Sequence, residues 1–374
     1  MYLKNDKKLG FGLMRLPLTD PDDKKSIDVE HVCRMVDEFL ARGFTYFDTA
    51  WMYCKFESEN AIRKALVERH PRDSYTLADK LHAGFLTCAE DRDRIFEEQR
   101  RKTGVSYFDY YLIHDINAEH YEIYQKYDCF NWAREKKAQG LIRQLGFSFH
   151  GDAVLLERVL TDQPDMDFVQ LQINYLDWES EGVQSRKCYE VARAHGLDII
   201  VMEPVKGGTL ANVPPAVQGL FKSHDKTMSV PSWAIRFVAG LDGVKMVLSG
   251  MSNMEQLIDN TSYMADFKPL GEREMELIWQ AAALLKAGAD GMIACTGCAY
   301  CVDGCPQSIA IPQYFSLYNA DRQGESNPQR DHYRELCAKF GKASDCIGCG
   351  QCEDICPQHL PIIEHLKQVA EHFE

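Results

Sequence analysis

FTYFDTA (44–50) crowds aromatic and apolar residues into one short run and closes it on an acid, Asp48. Such a run suits a strand buried on both faces. Six later runs share the design: YTLADK (75–80), FDYYLIH (108–114), RQLGFSF (143–149), FVQLQINY (168–175), DIIVMEP (198–204) and VKMVLSG (244–250). GFGLMRL (10–16) adds an eighth. Helix-like stretches lie between most of them: Val29–Arg42, Glu57–Arg69, Ala89–Thr103, Ala118–Gln139, Ala153–Thr161, Gln184–His195 and Glu255–Ala265. In 89–103 apolar residues are sparse, which predicts contact along a narrow stripe. Runs spaced roughly 25–45 residues apart have the size of a strand–helix unit. Eight units over about 260 residues predict an α/β fold, a closed (β/α)8 barrel. An open, doubly wound sheet is the alternative, but no G-x-G-x-x-G opens a helix after an early strand.

In a parallel barrel, chemistry sits where strands end. Unusual polar residues fall there. Asp48 ends the second run and Tyr53 follows it; Lys80 ends the third and His114 the fourth. Any one of them has a plain reading as a cap or a solvated charge. Together they form a coherent set. A Tyr hydroxyl with a pKa near 10 is a poor proton donor at neutral pH. A nearby Lys is expected to lower that pKa, and an Asp would hold the Lys. A His can hydrogen-bond a carbonyl oxygen.

Near the C-terminus one cysteine spacing occurs twice. Cys295, Cys298, Cys301 and Cys305 read C-x2-C-x2-C-x3-C before Pro306, and Cys346, Cys349, Cys352 and Cys356 repeat it before Pro357. Zinc sites favour C-x2-C pairs, and disulfide frameworks favour small secreted domains. The doubled run is that of bacterial-type ferredoxins, whose fourth Cys ligates the other cluster. It implies two [4Fe–4S] clusters, one on Cys295, Cys298, Cys301 and Cys356, the other on Cys346, Cys349, Cys352 and Cys305. The gap between the runs holds helix-like IPQYFSLYNADR and QRDHYRELCAKFG. The expected domains are therefore residues 1–286, a barrel, and 287–374, a small, mostly helical dicluster unit. Helix-like Glu272–Lys286 and the short linker AGADG (287–291) predict that this unit is tied to the barrel.

The chain has 374 residues, 45% of them hydrophobic and 26% charged, enough for a sizeable core. A net charge of -14 argues against nucleic acid and anionic membranes as partners. No apolar run has the length of a membrane span or a signal peptide. The six other cysteines (Cys33, Cys54, Cys88, Cys129, Cys188, Cys337) show no paired spacing. They read as reduced, buried small residues, which suits a cytoplasmic location.

FDTAWMY followed by ESENAIRKAL, LADK, YYLIH, GLIRQLGFSFHG and VLSGMSNMEQLIDN carry a resemblance to the aldo-keto reductases over about residues 1–265. With the cysteine runs added, the chain resembles the aldo-keto-reductase-like oxidoreductases that carry a 4Fe–4S dicluster domain. The resemblance implies a TIM barrel and a catalytic tetrad of Asp48, Tyr53, Lys80 and His114. It implies NADP or NAD held by Ser148, Gln172 and Asn174, by Met202, Glu203, Lys206 and Gly207 after strand seven, and by Ser249, Gly250, Ser252, Gln256 and Asn260. Three positions depart from the family: Met202 replaces a stacking Tyr, Phe149 an Asn or Arg, and Gln256 an Arg that grips the adenosine phosphate.

Nicotinamide moves two electrons and a cluster normally one, so a flavin gate is a further candidate. The VKGGTL turn (205–210) offers a candidate phosphate cradle for FMN; a flexible turn is the plainer reading. The leading expectation is an iron–sulfur oxidoreductase acting on a carbonyl or conjugated small molecule, with a ferredoxin or reductase as redox partner. The alternatives are plain NAD(P)H carbonyl reduction with structural clusters, and a non-catalytic redox sensor.

Overall fold

The structure, a computed structural model, describes residues 6–21, 23–288, 291–322 and 329–374. Eight parallel strands pair in chain order and close on themselves: β1 (Leu9–Gly12), β2 (Tyr46–Asp48), β3 (Thr76–His82), β4 (Phe108–Ile116), β5 (Ile142–Phe149), β6 (Phe168–Gln172), β7 (Asp198–Met202) and β8 (Val244–Ser249). This is the (β/α)8 TIM barrel expected from the spacing. In GFGLMRL only the first residues are strand. Leu13–Arg15 curl into a short 3-10 turn, which brings Met14 and Arg15 to the barrel mouth.

Side chains alternate along a strand, so every second residue faces the interior. Tyr46, Ala78, Tyr110, Leu112, Phe168, Ile200, Met246 and Leu248 plug it. The same parity carried further along the strands reaches Asp48, Lys80, His114, Ser148, Gln170, Gln172, Met202 and Gly250. Polar groups thus form the layer above an apolar plug, at the C-terminal end of the strands. Gly146 belongs to the inward set because nothing larger fits. A Cβ there would lie 2.4 Å from the Phe168 carbonyl oxygen and 2.8 Å from its ring.

The helices follow the expected stretches with three differences. Ala118–Lys126 and Cys129–Ala138 are separate helices, broken at Asp128, whose φ is 49°. The Arg92 guanidinium holds the bend by donating to the Asp128 carbonyl at 3.0 Å. The stretch after Glu57 widens from α-helix (Ser58–Ile62) into π-helix (Arg63–Val67). Pro215–His224 and Val230–Ala239 join β7 to β8, where periodicity gave no helix; Phe221 stacks on Trp233 at 4.5 Å between them. The sparse helix Asp91–Thr103 buries Ile95 and Phe96 beside polar Gln99 and Lys102, a narrow stripe as expected.

A second core runs from Ile293 to Phe373, built on helices Ile311–Arg322, Gln329–Cys337 and Ile362–Phe373. Helix Glu272–Gly288 leads into it, two residues longer than expected. Of the expected linker, Ala289 and Asp290 lie outside the described residues. Among the described residues, no helix is long and apolar enough to cross a membrane. The expectation of buried cysteines outside the runs holds at Cys129 and Cys188; Cys33, Cys54 and Cys337 are half-buried and Cys88 is exposed.

Candidate active site and cysteine quartets

Lys80 is fully buried at the top of β3. Its ammonium donates to Asp48 Oδ1 at 2.5 Å and to the Thr49 carbonyl at 2.6 Å, and lies 3.5 Å from the Tyr53 hydroxyl. Tyr53 stands on the turn after β2, where Cys54, Lys55 and Phe56 all have positive φ. That left-handed turn swings the phenol back over the barrel. The His114 ring meets it edge-on, with centroids 6.0 Å apart. The structure therefore brings Asp48, Tyr53, Lys80 and His114 together.

The electrostatics differ from the expectation. Burial pushes the Tyr53 phenol well above its usual range, and the Asp48 carboxylate adds to the rise. Lys80 is turned toward Asp48 and Thr49, so it does not offset burial. The phenol therefore keeps its proton. Burial, with His82 and Lys80 nearby, holds His114 well below the ordinary imidazole range, so the ring is neutral. Its Nδ1 is buried without a partner. Burial pushes the Cys54 thiol up to about 11, which makes it packing rather than a reactive thiolate.

Asp48, Tyr53 and His114 open into a cavity whose walls include Met14, Met202 and Leu248. Its roof comes from the second core: Thr296, Cys298, Tyr300, Pro357 and Gln358. Sequence reasoning missed Tyr300, Thr296 and Gln358, which lie far along the chain and belong to no periodic pattern. It also missed His82, Asp115 and His120 beside His114. Asp115, at φ 54°, sits where the β4–β5 register shifts, and its carbonyl meets His120 Nδ1 at 2.7 Å. The DINAEH segment (115–120) after YYLIH carried part of that signal.

Cys295, Cys298, Cys301 and Cys356 line one cavity, and Cys305, Cys346, Cys349 and Cys352 line another. Each quartet takes three cysteines from one run and the fourth from the other, the crossed arrangement the spacing implies. Burial pushes Cys298 up to about 11, and the Cys295 and Cys356 thiols add to it. Burial likewise raises Cys352 to about 11, with Glu353 and Cys346 contributing. Four sulfurs crowded this way repel as thiolates unless a cationic centre sits among them. The donor set therefore fits an iron–sulfur cluster in each cavity.

The description of the aldo/keto reductase family matches residues 8–283, and that of a 4Fe-4S dicluster domain matches residues 294–360. The chain belongs to the aldo/keto reductase family. It is an oxidoreductase of that family carrying a 4Fe-4S dicluster domain. Structures of similar fold include an aldo-keto reductase from Bacillus halodurans in its holo form, at 22% identity and TM-score 0.58, covering 73% of this chain and 91% of that one. Another is an aldo-keto reductase from Klebsiella pneumoniae in complex with NADPH, at 17% identity and TM-score 0.56, covering 73% and 90%. A curated relative is the acetyl-CoA decarbonylase/synthase complex subunit alpha 1 of Methanosarcina acetivorans. It is 25% identical over 119 residues, so the match spans 29% of this chain and only 13% of that protein.

In this aldo/keto reductase the side chains expected to hold a dinucleotide are engaged within the chain. Ser148 Oγ accepts from the Asp115 amide at 2.8 Å. Gln172 pairs with Gln358. Asn174 donates to Asp177 at 2.9 Å and to the Glu203 carbonyl at 3.3 Å. Lys206 is buried against both carboxylate oxygens of Asp177, each at 2.6 Å. Glu203 accepts from the Gly207 amide at 2.6 Å. Ser249 accepts from Asn260 at 2.9 Å, the Ser252 hydroxyl donates to the Arg15 carbonyl at 2.7 Å, and Gln256 accepts from the Ser252 amide at 2.7 Å. Gly250 lies beneath the Arg15 side chain. Of the set, Gln172, Met202, Glu203 and Gly250 line the open cavity.

Proposed function

We propose that this chain is an iron–sulfur oxidoreductase that reduces or oxidises a carbonyl or conjugated small molecule in the barrel cavity, with electrons relayed through two [4Fe–4S] clusters. The supporting observation is that Tyr53 and Cys298 line one cavity. Residues 1–286 form the catalytic barrel and 287–374 the cluster unit. Cys295, Cys298, Cys301 and Cys356 hold one cluster, and Cys305, Cys346, Cys349 and Cys352 the other; when bound, each supplies single electrons. Tyr53 gives its phenolic proton to the substrate oxygen. Lys80, fixed by Asp48, stabilises the phenolate that forms during transfer. Neutral His114 orients the substrate by hydrogen bonding. Met14, Met202, Leu248 and Tyr300 give the cavity apolar walls beside polar ones, which suits a small substrate with a polar group. The redox partner is a ferredoxin or a reductase.

A second reading, NAD(P)H carbonyl reduction with clusters as structural elements, draws support from the NADPH held by the Klebsiella neighbour. A non-catalytic sensor would not need the buried Asp48–Lys80–Tyr53 set. Iron analysis of anaerobically purified protein tests the cluster assignment. About eight irons per chain are expected. About four would leave one quartet without a cluster, and stoichiometric zinc would refute the assignment.

A further inference from the structure

We infer that the crevice a nicotinamide dinucleotide would take is filled by the chain's own cysteine-bearing loops. The cavity at Tyr53 then takes substrate alone, and reducing equivalents reach it as single electrons rather than as hydride. This rests on the reading above that the Tyr53 cavity is the reaction site.

The first support is the pairing of Gln172 with Gln358. Each side-chain amide donates to the other's oxygen at 3.1 Å, and both residues are buried. Nicotinamide carries a primary carboxamide, the same donor and acceptor pair that Gln358 presents to Gln172. The place is thus taken by a residue of this chain, two positions after Cys356.

The second support is the turn after β7. A phosphate needs free backbone N–H groups or a free cation. Here the amides of Lys206, Gly208, Thr209 and Leu210 all donate to backbone carbonyls, and that of Gly207 donates to Glu203. The Lys206 ammonium is consumed by Asp177 and also reaches Gln358 at 3.4 Å. Thr296 closes the remaining space. A Cβ on Gly207 would lie 2.3 Å from the Thr296 carbonyl oxygen, and Gly207 has a φ of 63° that favours glycine. The pyrophosphate of a dinucleotide and the phosphate of FMN therefore meet the same filled turn.

The third support is Arg15. Its guanidinium reaches the Thr296 carbonyl at 3.1 Å and Glu203 at 3.4 Å, which spans the route between turn and cavity. Lifting these loops would move Thr296 and Gln358, which neighbour Cys295 and Cys356 in sequence. Opening the crevice and keeping the first quartet intact are thus opposed.

The chemistry balances without nicotinamide. Reducing a carbonyl breaks the C=O π bond and forms one O–H and one C–H bond. Two electrons come one at a time from a low-potential carrier protein of the ferredoxin or flavodoxin class. The oxygen's proton comes from Tyr53 and the carbon's from solvent.

The test uses the full, iron-loaded chain under anaerobic conditions. Equilibrium dialysis is run separately with NADPH, NADH and FMN. The expected result is no saturable retention of any of the three below about 1 mM, the weak end of the usual range for enzyme substrates. Saturable binding of NADPH or NADH at one per chain in the micromolar range would overturn the inference. Saturable binding of FMN at that stoichiometry would overturn its claim on the phosphate turn. Neither result bears on iron content, so failure here and failure of the proposed function are read by different measurements.

Discussion

At the residue scale, the site turns on a phenol that keeps its proton. Burial outweighs the Lys80 ammonium, because that charge is already spent on Asp48 and Thr49. Tyr53 therefore stays protonated throughout the neutral range, as its proposed role as proton donor requires. Its donor function should be complete at low and neutral pH and be lost only as pH rises past the raised value, above about 10. Replacing Tyr53 by Phe removes the hydroxyl alone. Turnover should fall by at least about 10²-fold, the usual contribution of a general acid, with iron content unchanged. Rates measured anaerobically from about pH 6 to about pH 9 should show no alkaline limb assignable to Tyr53. An alkaline limb present in the native chain and absent from Tyr53→Phe would mean that the phenol titrates lower than its burial implies. The identities of the four residues were legible from the sequence. The balance of charge among them was not, because it depends on which partner Lys80 faces.

At the element scale, the barrel was legible because its signal is local. Short apolar runs ending on polar residues mark strands buried on both faces, and a period of two fixes which residues point inward. That parity gives the apolar plug at Tyr46 and Phe168 and the polar layer at Asp48 and Gln172. The missed elements follow from weak or competing local signals. The 118–139 stretch looks continuous, yet Asp128 leaves helical geometry to meet Arg92 from another helix. The helices Pro215–His224 and Val230–Ala239 are fixed by the Phe221–Trp233 stack rather than by a clean stripe. Gly146 offers a test of the inward packing. Gly146→Ala would press a methyl group against the Phe168 carbonyl and ring, with backbone on one side and a packed ring on the other. Overpacking of this kind costs about 1–3 kcal/mol. Chemical denaturation should show that loss, whereas an unchanged midpoint would mean that β5 and β6 are spaced more loosely than the structure has them.

At the scale of the whole molecule, the cysteine-bearing unit is the roof of the Tyr53 cavity. Its quartets could be read from spacing, including the exchange of Cys305 and Cys356 between them. Its seat on the barrel could not. Gln358 meets Gln172, Thr296 meets Gly207 and His359 meets the His150 carbonyl at 3.0 Å, all across long stretches of chain with no shared pattern. The consequence is that a substrate at Tyr53 lies in a cavity walled by Cys298. One measurement tests this most directly. The iron-loaded chain is reduced anaerobically with dithionite, freed of excess reductant, and mixed with an aryl aldehyde or an α,β-unsaturated ketone in the absence of any nicotinamide. The visible absorption of the oxidised clusters should return as the reduced product forms, at about one product per two electrons lost, and the return should be at least about 10²-fold slower in Tyr53→Phe. Clusters that stay reduced while product forms only after NADPH is added would contradict a direct connection between the cysteine quartets and the Tyr53 cavity.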